Sequence, residues 1–376
     1  MFFRRLKKIP CPRTLVFSLV GTGIFFTISI IFAVKYSSVN ISSGTGEALP
    51  VAATGNPITW VNFDLPVTAL EKAMDLDIST YGKEIELDWI ELLACLGAKY
   101  GGDFSKYKSK DLDLLAQKLQ NGTPLADLTK DLTYYPYYHE AYTAVLGEFL
   151  GEFTSQNNAG DGSGGLEWRT EYGLKVYSPI AGGYYFDHYE DFCAQRTYGY
   201  NRKHLGHDLM CSVGTPIVAV ESGIVEELGW NQYGGWRVGI RSFDRRRYYY
   251  YAHMRQNRPY HPDVTLGAVV KAGDVIGYVG KTGYSTVENT NGMTVSHLHW
   301  GMQLIFDESQ KEGANEIWID LYAITKLLLR HKSFVLRDNE TKEYYRKYDF
   351  LEPNLFTYGY RPFSLQKNIP PAKNSY

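Results

Sequence analysis

Charge of one sign is what this sequence most lacks: across 376 residues, 39 Lys and Arg face 41 Asp and Glu. A nucleic-acid ligand asks for a clustered basic surface, so the balance gives no footprint for nucleic acid. Cysteine is scarce as well, four residues with no Cys-x-x-Cys pair, which argues against a thiolate metal site. Cys11 precedes the first apolar run and could not pair with exported thiols, and Cys95 lies in an apolar helical stretch and reads as a small core residue. Cys193 and Cys211 could pair in an oxidising compartment. No His-Glu-x-x-His segment is present, so a metalloprotease that draws its general base from such a helix has no candidate. A hydrophobic content of 44% with 21% charged residues excludes wholesale disorder. Tyrosine is the residue in excess, 31 in all. Its apolar ring and polar tip suit half-buried strands.

The length exceeds what one core usually organises, so more than one folded unit is expected. Arg4, Arg5, Lys7, Lys8 and Arg13 precede an uncharged run from Thr14 to Val34, closed by Lys35. A helix over this run spans a bilayer core of about 30 Å. The basic flank predicts a cytoplasmic residue 1–13 tail, a transmembrane anchor over 14–34 and everything beyond it outside the cell. A cleaved signal would carry a shorter apolar region and a small-x-small site, whereas Lys35-Tyr36-Ser37-Ser38 follows here. Residues 35–58 are rich in Ser, Gly, Thr and Ala and read as a flexible tether.

Helical periodicity then takes over. Leu87, Ile90, Leu93 and Ala94 recur at helix spacing, as do Leu112, Leu115 and Leu119, and residues 138–153 form a third amphipathic segment. A small all-α domain over 59–156 is expected, with His139 an ordinary packed or surface histidine. Residues 157–170 are dominated by Asn, Gly and Ser and read as a linker. From 171 to 330 short apolar runs alternate with Gly, Pro and Asn, the texture of an all-β domain. They are 175–180, 216–220, 223–228, 236–242, 248–252, 275–279 and 298–305, followed by a helix over 319–329. Residues 331–376 read as a C-terminal tail.

Three pieces of the β region carry chemistry. His204 and Asp208 stand four apart around Gly206 and offer a nitrogen and a carboxylate oxygen to a metal. His297 and His299 alternate on a strand and so emerge on one face. His253 ends the strand-like run Tyr248 to Ala252. Each piece alone is as compatible with a solvated or structural pair as with a site.

In this order, the set resembles the lysostaphin-type zinc endopeptidases of peptidoglycan, which carry His-x-Gly-x-Asp, a lone His at a strand end and His-x-His. The surroundings agree: Gly214-Thr215-Pro216, Ser222-Gly223-Ile224-Val225, the segment from Gly267 to Gly277, and Gly280-Lys281-Thr282-Gly283-Tyr284-Ser285. The resemblance covers residues 178–304. It implies His204, Asp208 and His299 as ligands of one Zn2+ per chain, with a place left for water. It implies His253 and His297 as the catalytic histidines that are not ligands, able to move the proton of a zinc-activated water. The fold class expected is multidomain α plus β: a transmembrane helix, a small all-α domain and an antiparallel, duplicated hybrid motif-like metallopeptidase domain.

The expected function is hydrolysis of peptide bonds in peptidoglycan stem peptides or cross-bridges. Expected partners are peptidoglycan, the membrane through the anchor and an envelope protein through the helical domain. A catalytically inactive envelope scaffold on the same fold, or an adaptor built on the 271–280 hairpin, would leave the histidines unexplained. The chain departs from the pattern at 286–295, an insertion beside the His-x-His, and at Ser296, where a proline is expected. His207, inside the first motif, should point away from its neighbours, and His188 should lie at the surface. The run Arg245-Arg246-Arg247 reads as a solvated hairpin tip, with an anionic partner as the other reading.

Overall fold

The structure, a computed structural model, describes residues 58–158, 165–196, 202–311, 313 and 315–360. The anchor expected over 14–34, and all but the last residue of the tether over 35–58, lie outside the described residues. No helix among those described is long and apolar enough to cross a membrane.

Five helices open the described chain: α1 (Val67–Thr80), α2 (Trp89–Tyr100), α3 (Ser109–Gln120), α4 (Leu125–Thr129) and α5 (Tyr135–Leu146). Helix α2 shows why the local sequence folds this way. The Asp88 carboxylate accepts the backbone N–H groups of Ile90 at 2.7 Å and Glu91 at 3.0 Å, satisfying two donors that the helix cannot. Gly101, at φ 62°, closes the helix in the left-handed conformation that glycine adopts freely. Leu92, Leu93 and Leu96 fill the buried face between these caps. The third amphipathic segment stops earlier than its pattern suggests. Helix α5 ends at Leu146 and the chain turns into a strand at Leu150.

Antiparallel sheet makes up most of the rest. The strands, in chain order, are β1 (Leu150–Asn158), β2 (Leu166–Leu174), β3 (Asp187–His188), β4 (Gln195–Arg196), β5 (Arg202–Lys203) and β6 (His207–Met210). Next come β7 (Pro216–Val218), β8 (Gly223–Asn231), β9 (Gly235–Ser242), β10 (Arg247–Ala252), β11 (Val269–Val270), β12 (Val275–Tyr278) and β13 (His297–Leu304). The chain finishes with β14 (Ile317–Trp318), α6 (Tyr322–Leu328), β15 (Val335–Arg337), β16 (Tyr344–Arg346), β17 (Phe350–Leu351) and α7 (Pro353–Thr357). The principal sheet runs β11-β8-β9-β10-β13-β6-β3, with β14 also paired to β13. Alternation along β10 divides its tyrosines. Tyr249 and Tyr251 are buried in the core, their hydroxyls meeting the Glu221 carboxylate at 2.6 Å and the Val220 N–H at 2.9 Å. Tyr248 and Tyr250 face the opposite side, where a groove runs.

The linker expected over 157–170 is instead part of a hairpin. Strands β1 and β2 pair in unbroken register from Leu150 with Leu174 to Asn158 with Leu166. Asn, Gly and Ser supply the backbone freedom that either a hairpin loop or a linker needs, so composition alone does not separate them. The helical and β regions are not independent domains either. Leu92, Leu93 and Leu146 belong to the same buried cluster as Ile240, Leu298 and Trp300, and Arg247 donates from Nη1 to the carbonyl of Ala144 in α5 at 2.8 Å. Nor is 331–360 a loose tail: β17 pairs with β1, and Phe350 is fully buried against Phe153 and Tyr177. Arg247 itself is no solvated tip. Its guanidinium is buried, with Nε 2.8 Å and Nη2 3.0 Å from the two Glu221 oxygens.

Candidate metal centre and groove

Strand register brings the two distant motifs together. On β6 and β13, Asp208 stands directly opposite His299, and Ala252 of β10 stands opposite His299 on its other side. Directly opposed residues of an antiparallel pair project to one face. Asp208 and His299 therefore converge on the groove, and His253, one residue beyond Ala252, closes it. Leu298, between the two histidines of β13, is fully buried in the core, as alternation requires.

His204 comes from the turn before β6. Its Nε2 lies 3.0 Å from Asp208 Oδ1 and 3.1 Å from His299 Nδ1, and the latter two atoms are 2.8 Å apart. The three donors of the expected ligand set thus form one tight triangle. Gly206 makes this approach possible: a Cβ there would lie 2.5 Å from the His299 ring.

The three groups of the triangle shift in different directions. Burial alone would lower the His204 pKa, yet its hydrogen bonds with Asp191 and Asp208 raise it to about 9. Asp208 is held well below the usual carboxylate range by His204 and His299, against the opposing effect of burial. His299 is lowered by burial, only partly offset by Asp208. Donors about 2.0–2.2 Å from a tetrahedral zinc stand about 3.3–3.6 Å apart, somewhat wider than the 2.8–3.1 Å between these atoms. Two imidazole nitrogens and a carboxylate oxygen converging on one point are a donor set that fits zinc.

His253 and His297 sit beside the triangle, each held through the same ring nitrogen. His253 Nδ1 donates to the Thr282 carbonyl at 2.8 Å and His297 Nδ1 donates to that of Val295 at 3.0 Å. With the proton on Nδ1, each leaves Nε2 as an acceptor. The His297 Nε2 is 3.8 Å from Asp208 Oδ1, and the two rings are 4.8 Å apart. Burial, then the neighbouring His297 and His299, push the His253 pKa well below its ordinary value. Its backbone is left-handed, φ 60°, a conformation that non-glycine residues rarely hold and that clusters at functional sites.

These residues line a groove of about 790 Å³. Tyr250 lines it, edge-on to both His299 and Trp318. Gly301, paired with Tyr250, lies under Trp318, whose ring a Cβ there would strike at 2.6 Å. The 286–295 insertion does not fill the groove. Met293, Thr294 and Val295 form one wall. Asn289 fastens the insertion, its Oδ1 accepting from Trp236 Nε1 at 2.9 Å and from the Asn257 N–H at 2.8 Å.

A family model, Peptidase family M23, matches residues 202–312, which contain the whole triangle and both further histidines. Residues 202–312 form a region of peptidase family M23 type. An L-Ala–D-Glu endopeptidase of Bacillus subtilis is 30% identical over 219 residues, covering 57% of this chain and 61% of that protein. Lysostaphin of Staphylococcus staphylolyticus is 37% identical over 98 residues, 26% of this chain and 18% of that protein. A crystal structure of a Ruminococcus gnavus lytM protein aligns at 25% identity with a TM-score of 0.46, over 64% of this chain and 82% of that one. The chain thus spans about three-fifths of the first relative and under a fifth of the second.

The remaining histidines lie as follows. His207 points away from the groove, as its place in the strand predicts, into a buried pocket where its Nε2 is 3.0 Å from His188 Nδ1. Burial and then His188 lower the His207 pKa to about 4. His188 is therefore half-buried in a histidine pair and is no plain surface residue. His139 lies on α5 beside Tyr135. No disulfide joins Cys193 to Cys211. Two contacts at the triangle have no sequence signal: Asp191 Oδ1 lies 3.1 Å from His204 Nδ1, and Arg196 Nη2 lies 3.1 Å from Asp208 Oδ2. They arise because β4 folds back on β5 just before His204, a pairing that no spacing rule announces.

Proposed function

We propose that this chain is a zinc-dependent endopeptidase that cuts peptide bonds of peptidoglycan during cell-wall remodelling. The convergence of His204 Nε2, Asp208 Oδ1 and His299 Nδ1 within 3.1 Å carries this reading. His204, Asp208 and His299 would hold the metal. Zinc, when bound, supplies Lewis-acid polarisation of a carbonyl and activation of a water. His253 and His297, with Nδ1 fixed by carbonyls, present Nε2 acceptors that can take a proton from the attacking water and return it to the leaving amine. The groove, open at the surface and walled by Tyr250, Trp318 and the insertion, admits an extended peptide across this site. Peptidoglycan as substrate is supported by the L-Ala–D-Glu endopeptidase and lysostaphin relatives.

Zinc content by mass spectrometry and peptide release from purified walls test the assignment together. His204→Ala, Asp208→Ala and His299→Ala should lose both, because affinity depends on each deprotonated donor. His253→Ala and His297→Ala should keep about one zinc per chain and lose about 10²–10⁴-fold in rate. A wild-type chain that holds zinc and releases nothing from several wall types would be a scaffold instead.

The catalytic part works on the outer side of the membrane, tethered by the apolar run over 14–34 with its basic flank inside. Protease added to intact cells should then remove a C-terminal tag. Protection of the tag until lysis, or a mature chain beginning after Val34, would defeat this topology.

A further inference from the structure

The segment that carries β3 and β4 reaches the metal triangle from behind, and nothing in the reaction assigned above uses it. Its attachment to His204 is close. The His204 N–H donates to the Ala194 carbonyl at 2.9 Å, and the His204 carbonyl accepts from the Cys193 N–H at 2.8 Å. The side chains continue the connection. Asp191 Oδ1 is 3.1 Å from His204 Nδ1, while the Arg196 guanidinium donates from one nitrogen to Asp191 Oδ2 and, at 3.1 Å, to Asp208 Oδ2.

We infer that Asp191 and Arg196 are positioning residues of the metal centre, which commit His204 Nε2 and Asp208 Oδ1 to the ion. This rests on the zinc reading above.

A carboxylate can only accept, so the contact with Asp191 places the His204 proton on Nδ1 and leaves the Nε2 lone pair aimed at the triangle. The same bond fixes the plane of the ring and makes Nε2 a more basic donor. Arg196 acts on the second ligand. Asp208 has two oxygens, of which Oδ1 faces His204 and His299; the guanidinium occupies Oδ2. Arg196 also places one positive charge between two carboxylates that would otherwise repel at close range. Each carboxylate therefore spends one oxygen on Arg196 and keeps the other for the imidazole or the ion. Arg196 is 37% exposed in its side chain, against 25% for Asp191 and 6% for His204. Solvent screening should therefore leave its share smaller than that of Asp191.

The experiment uses the full chain, with zinc affinity measured by chelator competition and Co2+ absorption as the report on donor geometry. Asp191→Asn should weaken zinc binding about 10–100-fold, as loss of such outer partners of metal ligands generally does. It should change the visible Co2+ spectrum and leave the unfolding midpoint of the metal-free protein unchanged. Asp191→Glu should recover part of the affinity, and Arg196→Gln should lose affinity by a smaller factor than Asp191→Asn. Wild-type affinity and spectrum in Asp191→Asn would overturn the inference alone. So would an equal fall in metal-free stability, or failure of that variant to fold, because either assigns Asp191 to the fold; Arg196→Gln then decides the guanidinium by the same two measurements. A wild-type chain without affinity for zinc would overturn both this inference and the function it rests on.

Discussion

The glycine of the His-x-Gly-x-Asp motif gives the sharpest test of how the site is built. Gly206→Ala adds one methyl group whose carbon would sit 2.5 Å from His299 Cε1 and Nε2 and 3.0 Å from the Trp300 carbonyl oxygen. Carbon atoms in ordinary contact stand about 3.5–4.0 Å apart, so the imidazole must retreat by about 1 Å. The carbonyl cannot give way cheaply, because Trp300 lies within β13, laddered to β10 on one side and β6 on the other. Metal donors tolerate about 0.2 Å. A 1 Å retreat takes Nδ1 of His299 out of the triangle, and misplacements of that size cost about 10²-fold at reacting centres. Zinc affinity should therefore fall by at least about 10²-fold, with hydrolysis falling alongside. Chelator competition on the purified chain measures the first, and urea unfolding of the metal-free protein checks that the fold survives. Wild-type zinc affinity in a folded Gly206→Ala chain would refute the reasoning, since the ring would then have another way to reach the metal.

Two further outcomes follow from buried groups away from the metal. Glu221→Ala strips Arg247 of its bidentate partner in a site closed to water, and breaking such a buried pair costs about 3–5 kcal/mol. Asp244, 2.8 Å from Arg247 Nη2, should hold the loss to the lower end, and a loss below about 1 kcal/mol in urea unfolding would mean the pair is not sealed. The Cys95 thiol is pushed up to about 12, by burial first and by Glu91 second. At pH 8 its thiolate fraction should be about 10³-fold below that of an ordinary thiol. Labelling of Cys95 in the native chain should be slower by at least that factor, and reaction at the rate of the unfolded chain would contradict its place in α2.

How much of the fold is legible in the sequence varies with the kind of interaction involved. Helix α3 follows from periodicity, and the β-runs from 216 to 252 and from 298 onward, with helix α2, follow from apolar stretches bounded by turn and cap residues. The tyrosines of β10 divide between core and groove by strand alternation. Helix α1 carried no strong pattern of its own and is held by packing. Val176, Tyr177 and Ile180 are buried because residues 175–180 cross the core, and the segment forms no strand. The hairpin that replaced the expected linker depends on pairing partners eight to twenty-four residues apart; local composition records only the loop between them. Arg247 reads as a surface charge until Glu221 is brought beneath it from the turn between β7 and β8.

By itself, then, the sequence determined the parts whose information is local. Strand alternation put His297 and His299 on one face, and the turn around Gly206 kept His204 and Asp208 within reach of one point. Only the tertiary structure decided what those parts meet. It set Asp208 against His299 through the β6–β13 register, turned His253 and His297 by bonding each Nδ1 to a carbonyl, and folded Asp191 and Arg196 behind the triangle. It also merged helices and sheets into one core. The physical reason is that side-chain direction and propensity are set by near neighbours, whereas hydrogen-bond partners and shared burial are set by whichever distant segment excludes water from the same place.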